Sequence, residues 1–97
     1  MVKKVIWSQS AQNDRKQILA YWKKRNKSNA YSLKLFALFK DSVSTISIYP
    51  EFGKATEKKN IRFTIVKDYL IFYEIETNYL KILRIWDSRK NPRSLKM

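Results

Sequence analysis

The chain has 97 residues, 44% hydrophobic and 14% aromatic, which suits one folded domain with a modest core and excludes wholesale disorder. It has no cysteine, hence no disulfide, thiolate metal site or thiol nucleophile, and no histidine, hence no Ser-His or Cys-His catalytic pair. A net charge of +13, from 21 basic and 8 acidic residues, calls for an anionic partner: nucleic acid, an acidic membrane surface or an acidic protein.

In chain order, Lys3 to Trp7 (KKVIW) predicts a short strand, and Ser8 stands where a helix N-cap belongs. From Gln9 to about Arg25, Ala11, Ile18, Leu19 and Trp22 share one helical stripe with Tyr21 at its edge. Arg15, Lys16, Lys23 and Lys24 take the other face, and Asp14 sits early enough to favour the helix dipole. Asn26 and Lys27 read as the stop, and Ser28 as a second N-cap. The next helix is expected from Asn29 to about Ile48, with Leu35, Phe36, Phe39, Val43 and Ile46 recurring at three and four. Tyr31, Leu38 and Tyr49 widen that stripe beyond what one sheet needs, which predicts a second neighbour. Pro50 ends the helix, Gly53 marks a turn, and Lys54 to Asn60 (KATEKKN) predicts an exposed basic loop.

Residues 61 to 87 hold no Gly or Pro and are dense in β-branched and aromatic residues. Lys67-Asp68 and Thr77-Asn78 cut them into three runs, which predicts three strands joined by hairpins as an antiparallel meander. In the middle run Tyr69, Ile71, Tyr73 and Ile75 face one way, and Leu70, Phe72, Glu74 and Glu76 the other. In the first run Arg62 shares a face with Thr64 and Val66, so one face is expected to be core and the other to carry a cation. A cross-strand pair of Arg62 with Glu74 is a further expectation. Trp86 has polar neighbours and reads equally as a core anchor or a partner contact, and Asp87 beside Arg89 reads as a local ion pair. Residues 89 to 97 are expected to be a loosely held tail of a single domain spanning 1 to 97.

The layout is a strand, a helical hairpin and three antiparallel strands: an α+β domain, β-α-α-β-β-β, with the hairpin packed on one face of an antiparallel sheet. Residues 1 to 27 carry a net +7 and residues 81 to 97 a net +5, so the two ends can form one basic surface if their elements lie together. The N-terminus MVKKVIWSQS has too short an apolar run for a signal peptide, and no segment approaches membrane-spanning length. A soluble cytoplasmic protein with no membrane partner is expected.

WSQSAQND at the first strand-to-helix junction, the YPEFG turn, Arg62, YLIFYEIE and ILRIWDSRKNP, taken in this order, resemble the RelE/ParE toxin family over nearly the whole chain. The resemblance implies the toxin of a bacterial type II toxin–antitoxin module, a growth inhibitor of the kind that stabilises plasmids. It also implies a hetero-oligomer with a cognate antitoxin and no cofactor or metal. RelE-like members cut messenger RNA on the ribosome, and ParE-like members poison DNA gyrase. A ribonuclease of this family would use Lys58, Lys59, Arg62 and Arg84. Trp86 and Asp87 stand where it would have a basic group, no tyrosine follows Tyr79, and an arginine makes a poor base. The ParE-like expectation is therefore preferred: inhibition by binding, most readily of DNA gyrase, with ribosome-bound mRNA cleavage or a degenerate module that binds only antitoxin or DNA as alternatives. Target contact is expected at Arg62, Arg84, Trp86, Arg89, Lys90 and Arg93. Antitoxin contact is expected at Trp22, Lys23, Lys24, Lys27, Tyr31 and Leu38.

Overall fold

The computed structural model describes residues 2–90. Strand β1 (Lys4–Trp7) leads into α1 (Gln9–Asn26), and α2 (Ala30–Ile48) returns antiparallel to it before a short 3-10 turn at Pro50–Phe52. Strands β2 (Lys54–Ala55), β3 (Ile61–Val66), β4 (Tyr69–Ile75) and β5 (Tyr79–Asp87) follow. The sheet order is β1-β5-β4-β3-β2. The expected meander is present as β3-β4-β5, but the sheet as a whole is mixed, because β1 pairs parallel with β5. A parallel pair needs a long crossover, and the helical hairpin is part of it. Two residues of the expected 54–60 loop also pair, Lys54 with Phe63 and Ala55 with Arg62, as an edge strand.

Local chemistry explains the helix ends. Ser8 is extended, and its Oγ accepts from the Ala11 N–H at 2.9 Å while its own hydroxyl donates to Leu83 O at 2.8 Å. The cap therefore also ties α1 to β5. Lys27 closes α1 in the left-handed region at φ 51, a conformation that costs a side chain free energy and favours glycine. Helix α2 begins one residue later than expected: Asn29 occupies the cap position without a side-chain bond, and Ser28 Oγ accepts from Ala30 N–H instead.

One core lies between the hairpin and the sheet. Ala11, Leu35, Phe39 and Ile46 from the helices meet Ile71, Tyr73, Leu80 and Ile82 from the strands, all essentially inaccessible. Of the α2 stripe, Phe36 falls outside this core at 36% exposure, and Tyr49 is 64% exposed. A second cluster of Ile61, Phe72 and Trp86, flanked by Phe63, Leu70 and Leu83, covers the other sheet face. The register of β4 against β5 shifts between Phe72, opposite Arg84, and Tyr73, opposite Ile82. This bulge puts Ile82 and Ile85 into the helix-side core while Leu83 and Trp86 join the second cluster.

The expected division of faces is corrected at β3. Thr64 and Val66, which share a face with Arg62, are buried, and Val66 belongs to the helix-side core, whereas Ile65 is 54% exposed. The cation of β3 is thus on the covered side, where the 50–53 turn supplies backbone acceptors.

Candidate functional site

Three regions of this fold hold candidate cations, and they differ in what holds the charge. The first is built around the YPEFG turn. Tyr73 is fully buried; its hydroxyl donates to Pro50 O at 2.6 Å and accepts from Gly53 N–H at 2.9 Å. Burial raises its pKa, and the Gly53 N–H and nearby Arg62 oppose the shift in part. Gly53 has an ordinary extended backbone, φ −71, so its glycine is required by space and not by a turn conformation. A Cβ there would lie 2.5 Å from the Tyr73 hydroxyl and 2.7 Å from Phe63 O. Arg62 Nη1 donates to Gly53 O at 2.8 Å and to Glu51 O at 3.4 Å. Arg62 therefore staples the turn to β3. The pairing with Glu74 is not made: Tyr73 is opposite Arg62, and Glu74 lies between Ile61 and Lys81.

The second region is the end of β5 against the start of α1. Strand β1 pairs with β5 only as far as Ile82, so side chains of α1 serve the edge beyond it. Arg84 binds Asp14 through Nε at 2.7 Å and Nη2 at 3.1 Å, and Asp14 also accepts from Ile85 N–H at 3.0 Å. The Asp14 hydrogen bond holds the Arg84 pKa above its ordinary value, so this guanidinium stays protonated at all accessible pH. Arg89 forms the expected pair with Asp87, at 2.9 and 2.7 Å, which holds the Asp87 carboxyl below the usual range. A cleft of about 400 Å³ opens here, lined by Asp14, Gln17 and Tyr21 of α1 and by Tyr69, Arg84, Trp86, Arg89 and Lys90. Trp86 is 8% exposed, and its indole N–H has no hydrogen-bond partner among the described residues. Arg84 and Lys90 approach its ring at 5.7 and 5.9 Å, within cation–π range. Trp86 thus packs in the second cluster and also lines the cleft. The α1 contributors were missed in the sequence, although Asp14, Gln17 and Tyr21 at spacings of three and four already lie on one helical face.

The third region is the hairpin. Trp22 and Tyr31, expected at an antitoxin contact, pack inward: the Trp22 Nε1–H donates to the Tyr69 hydroxyl at 2.8 Å, and the two rings meet edge to face at 4.9 Å. Leu38 packs half-buried against the same core. Lys23, Lys24 and Lys27 are exposed around a shallow depression with Ala20, Ser28 and Asn29. Lys58 and Lys59 are exposed on the loop before β3, and Arg93 lies outside the described residues.

The four candidate ribonuclease residues are therefore not assembled around one point. Arg62 serves carbonyls at 51 and 53, and Arg84 serves a carboxylate of α1. Their strands are separated by β4, a spacing of roughly 10 Å between β3 and β5. Among the described residues no group of three or more carboxylates, imidazoles or thiols could hold a metal ion. None of their helices is long and apolar enough to cross a membrane.

A helical hairpin on a mixed five-stranded sheet, with Arg62 and Arg84 held by structural partners, defines a small basic α+β domain. The family model described as ParE toxin of type II toxin-antitoxin system, parDE, matches residues 5–92, and the chain belongs to this family. Among solved structures, the fold is similar to that of a chromosomal ParDE toxin–antitoxin system from P. aeruginosa, with a TM-score of 0.75 and 16% identity over 89% of this chain and 96% of that one. A chain of the E. coli DinJ-YafQ toxin–antitoxin complex aligns over 90% of this chain and 93% of its own, with a TM-score of 0.45 and 14% identity. No curated protein matches the sequence.

Proposed function

We propose that this chain is a toxin that acts by binding its target, with DNA gyrase as that target, and that a cognate antitoxin neutralises it. The observation that carries this reading is the engagement of Arg62. A guanidinium that donates to two backbone carbonyls of its own chain is a poor candidate to meet the charge of a phosphorane. No histidine is present, and the buried Tyr73 hydroxyl is bonded on both sides, which makes it a poor proton donor to a substrate. Target contact is assigned to the end of β5, where Arg84, Trp86, Arg89 and Lys90 line one cleft. The antitoxin is assigned to the exposed apolar residues of α2 and the turn after it: Leu33 and Phe36, and Ile48, Tyr49 and Phe52, of which Tyr49 and Phe52 are each 64% exposed.

Expressed without an antitoxin, the protein should arrest growth through blocked DNA replication, and purified gyrase should lose supercoiling activity in its presence. Ribosome-bound messages should stay intact. Codon-dependent mRNA cleavage by wild type and not by Arg62→Ala, at equal folded concentration, would establish the ribonuclease instead. For the antitoxin, Tyr49→Ala with Phe52→Ala should weaken the complex by about 10- to 100-fold if these are anchors. Unchanged affinity would move the interface elsewhere.

A further inference from the structure

We infer that the outer face of the helical hairpin binds duplex nucleic acid through its phosphate backbone, without sequence preference. This goes beyond the toxin reading and does not depend on which target the toxin inhibits. From Arg15 to Lys40 the sequence carries eight cations and no Asp or Glu. The fold places this acid-free segment on the two helices and their turn, and residues 23 to 30 (KKRNKSNA) are all exposed.

The arrangement on α1 is more specific than the count. Lys16 and Lys23 are seven residues apart, so they lie within about 20° of one another on a 3.6-residue helix, with Lys24 one position beside them, and the C-cap Lys27 borders the same depression as Lys23 and Lys24. The small Ala20 sits in the middle of this stripe and leaves the depression between the lysines open. Lys16 to Lys27 covers about 16 Å at 1.5 Å per residue, close to five base-pair steps of about 3.4 Å. Lys16, Lys23, Lys24 and Lys27 have no carboxylate within 4 Å among the described residues, in contrast to Arg84 and Arg89.

Charge alone would also draw an acidic protein, and the side chains between the charges decide against it. A stable protein contact needs buried apolar or aromatic anchors, and residues 23 to 30 offer none larger than alanine; the exposed Leu33 and Phe36 belong to α2 and lie outside the α1 stripe. Tyr21 is exposed, but it lies about 140° around the helix from Lys16 and faces the cleft at β5. Phosphate contacts need only cations and small polar donors, which is what Lys23, Lys24, Lys27, Ser28 and Asn29 supply. The absence of aromatic side chains on the stripe also favours a duplex over a single strand, whose bases would require stacking platforms.

The test is fluorescence anisotropy of the full chain with a labelled 20-base-pair duplex of arbitrary sequence, in DNA and RNA forms, over a range of salt concentrations. The variant Lys23→Gln/Lys24→Gln/Lys27→Gly is compared with the charge-matched control Lys54→Gln/Lys58→Gln/Lys59→Gln, with folding of both checked by circular dichroism. Each phosphate contact contributes about 0.9 to the slope of log affinity against log salt, so the hairpin variant should lose roughly two to three from the slope and the control almost nothing. Binding of either duplex with that pattern supports the inference and names the source of the phosphates. Equal losses in both variants would show that only net charge matters and would overturn it. So would poly-glutamate binding as tightly as the duplex at equal charge, which would assign the stripe to an acidic polypeptide. No change of slope in the hairpin variant would overturn the inference, whereas absence of growth arrest on expression of the wild type, with the slope pattern intact, would count against the toxin reading alone.

Discussion

The 50–53 turn, met by Arg62 of β3, and the hairpin tip both involve cations, and they use charge in opposite ways. At the turn one cation, Arg62, reaches two backbone carbonyls, while the Tyr73 hydroxyl fills a position where even a methyl group on Gly53 would collide. At the tip four cations, Lys23, Lys24, Arg25 and Lys27, stand in water with no carboxylate near them among the described residues. The difference lies in backbone supply. A 3-10 turn with an extended residue after it presents carbonyls that need donors, whereas an α-helix satisfies its own and leaves side chains to solvent. Changes at the turn should therefore alter stability and changes at the tip should alter binding.

The largest stability effects are expected at the turn. Gly53→Ala must move either the Tyr73 ring or the β3 backbone and should cost about 2–3 kcal/mol, as overpacked cores do. Tyr73→Phe leaves Gly53 N–H and Pro50 O without their partner and should cost about 2 kcal/mol. Urea denaturation checks both; a cost below about 0.5 kcal/mol for Gly53→Ala would mean that the turn is not locked. Next comes Asp14→Ala, which removes the partner of Arg84 and of the Ile85 N–H and should cost about 2 kcal/mol, the pair being mostly but not wholly buried. If the cost is negligible, the β5 edge is held by Ser8 alone.

At the tip the expected sign reverses. Lys27→Gly relieves a left-handed side-chain residue at the end of α1 and should stabilise by about 0.5–1 kcal/mol while removing one cation. Destabilisation by this change would show that the Lys27 side chain packs in the fold.

The smallest effect is a pH dependence at Asp87. Its carboxyl is held low chiefly by the Arg89 hydrogen bond, so the unfolded chain takes up a proton there before the folded chain does. The stabilisation is present above the ordinary carboxylate pKa of about 4 and is lost as pH falls through the lower folded value. With Arg89 largely exposed the gain is small, and Asp87→Asn should flatten acid unfolding below about pH 4 only slightly. A steep, Asp87-dependent loss in that window would show that the pair is shielded from solvent.

The sequence by itself determined the element order, the Ser8 cap, the three meander strands and the faces of β4, since periodicity and capping are local properties of the chain. It also determined the Asp87–Arg89 pair, two residues apart. The tertiary structure decided the rest. The parallel β1–β5 pair and the edge strand at Lys54–Ala55 depend on which distant edge is left open. The β5 bulge turns Leu83 and Trp86 to the second cluster, a shift that strict alternation does not foresee. Arg62 looked like a solvent-facing charge because alternation marks a face without saying which face the helices cover. Gly53 looked like a turn residue, and its reason is the Tyr73 hydroxyl twenty positions away. Trp22 read both as a member of the core stripe and as a partner contact, and Tyr31 as a partner contact, because a wide apolar stripe has the same pattern whether a partner or the protein's own Tyr69 fills it. In each case the missing quantity was a contact between residues far apart in sequence, which composition and spacing do not encode.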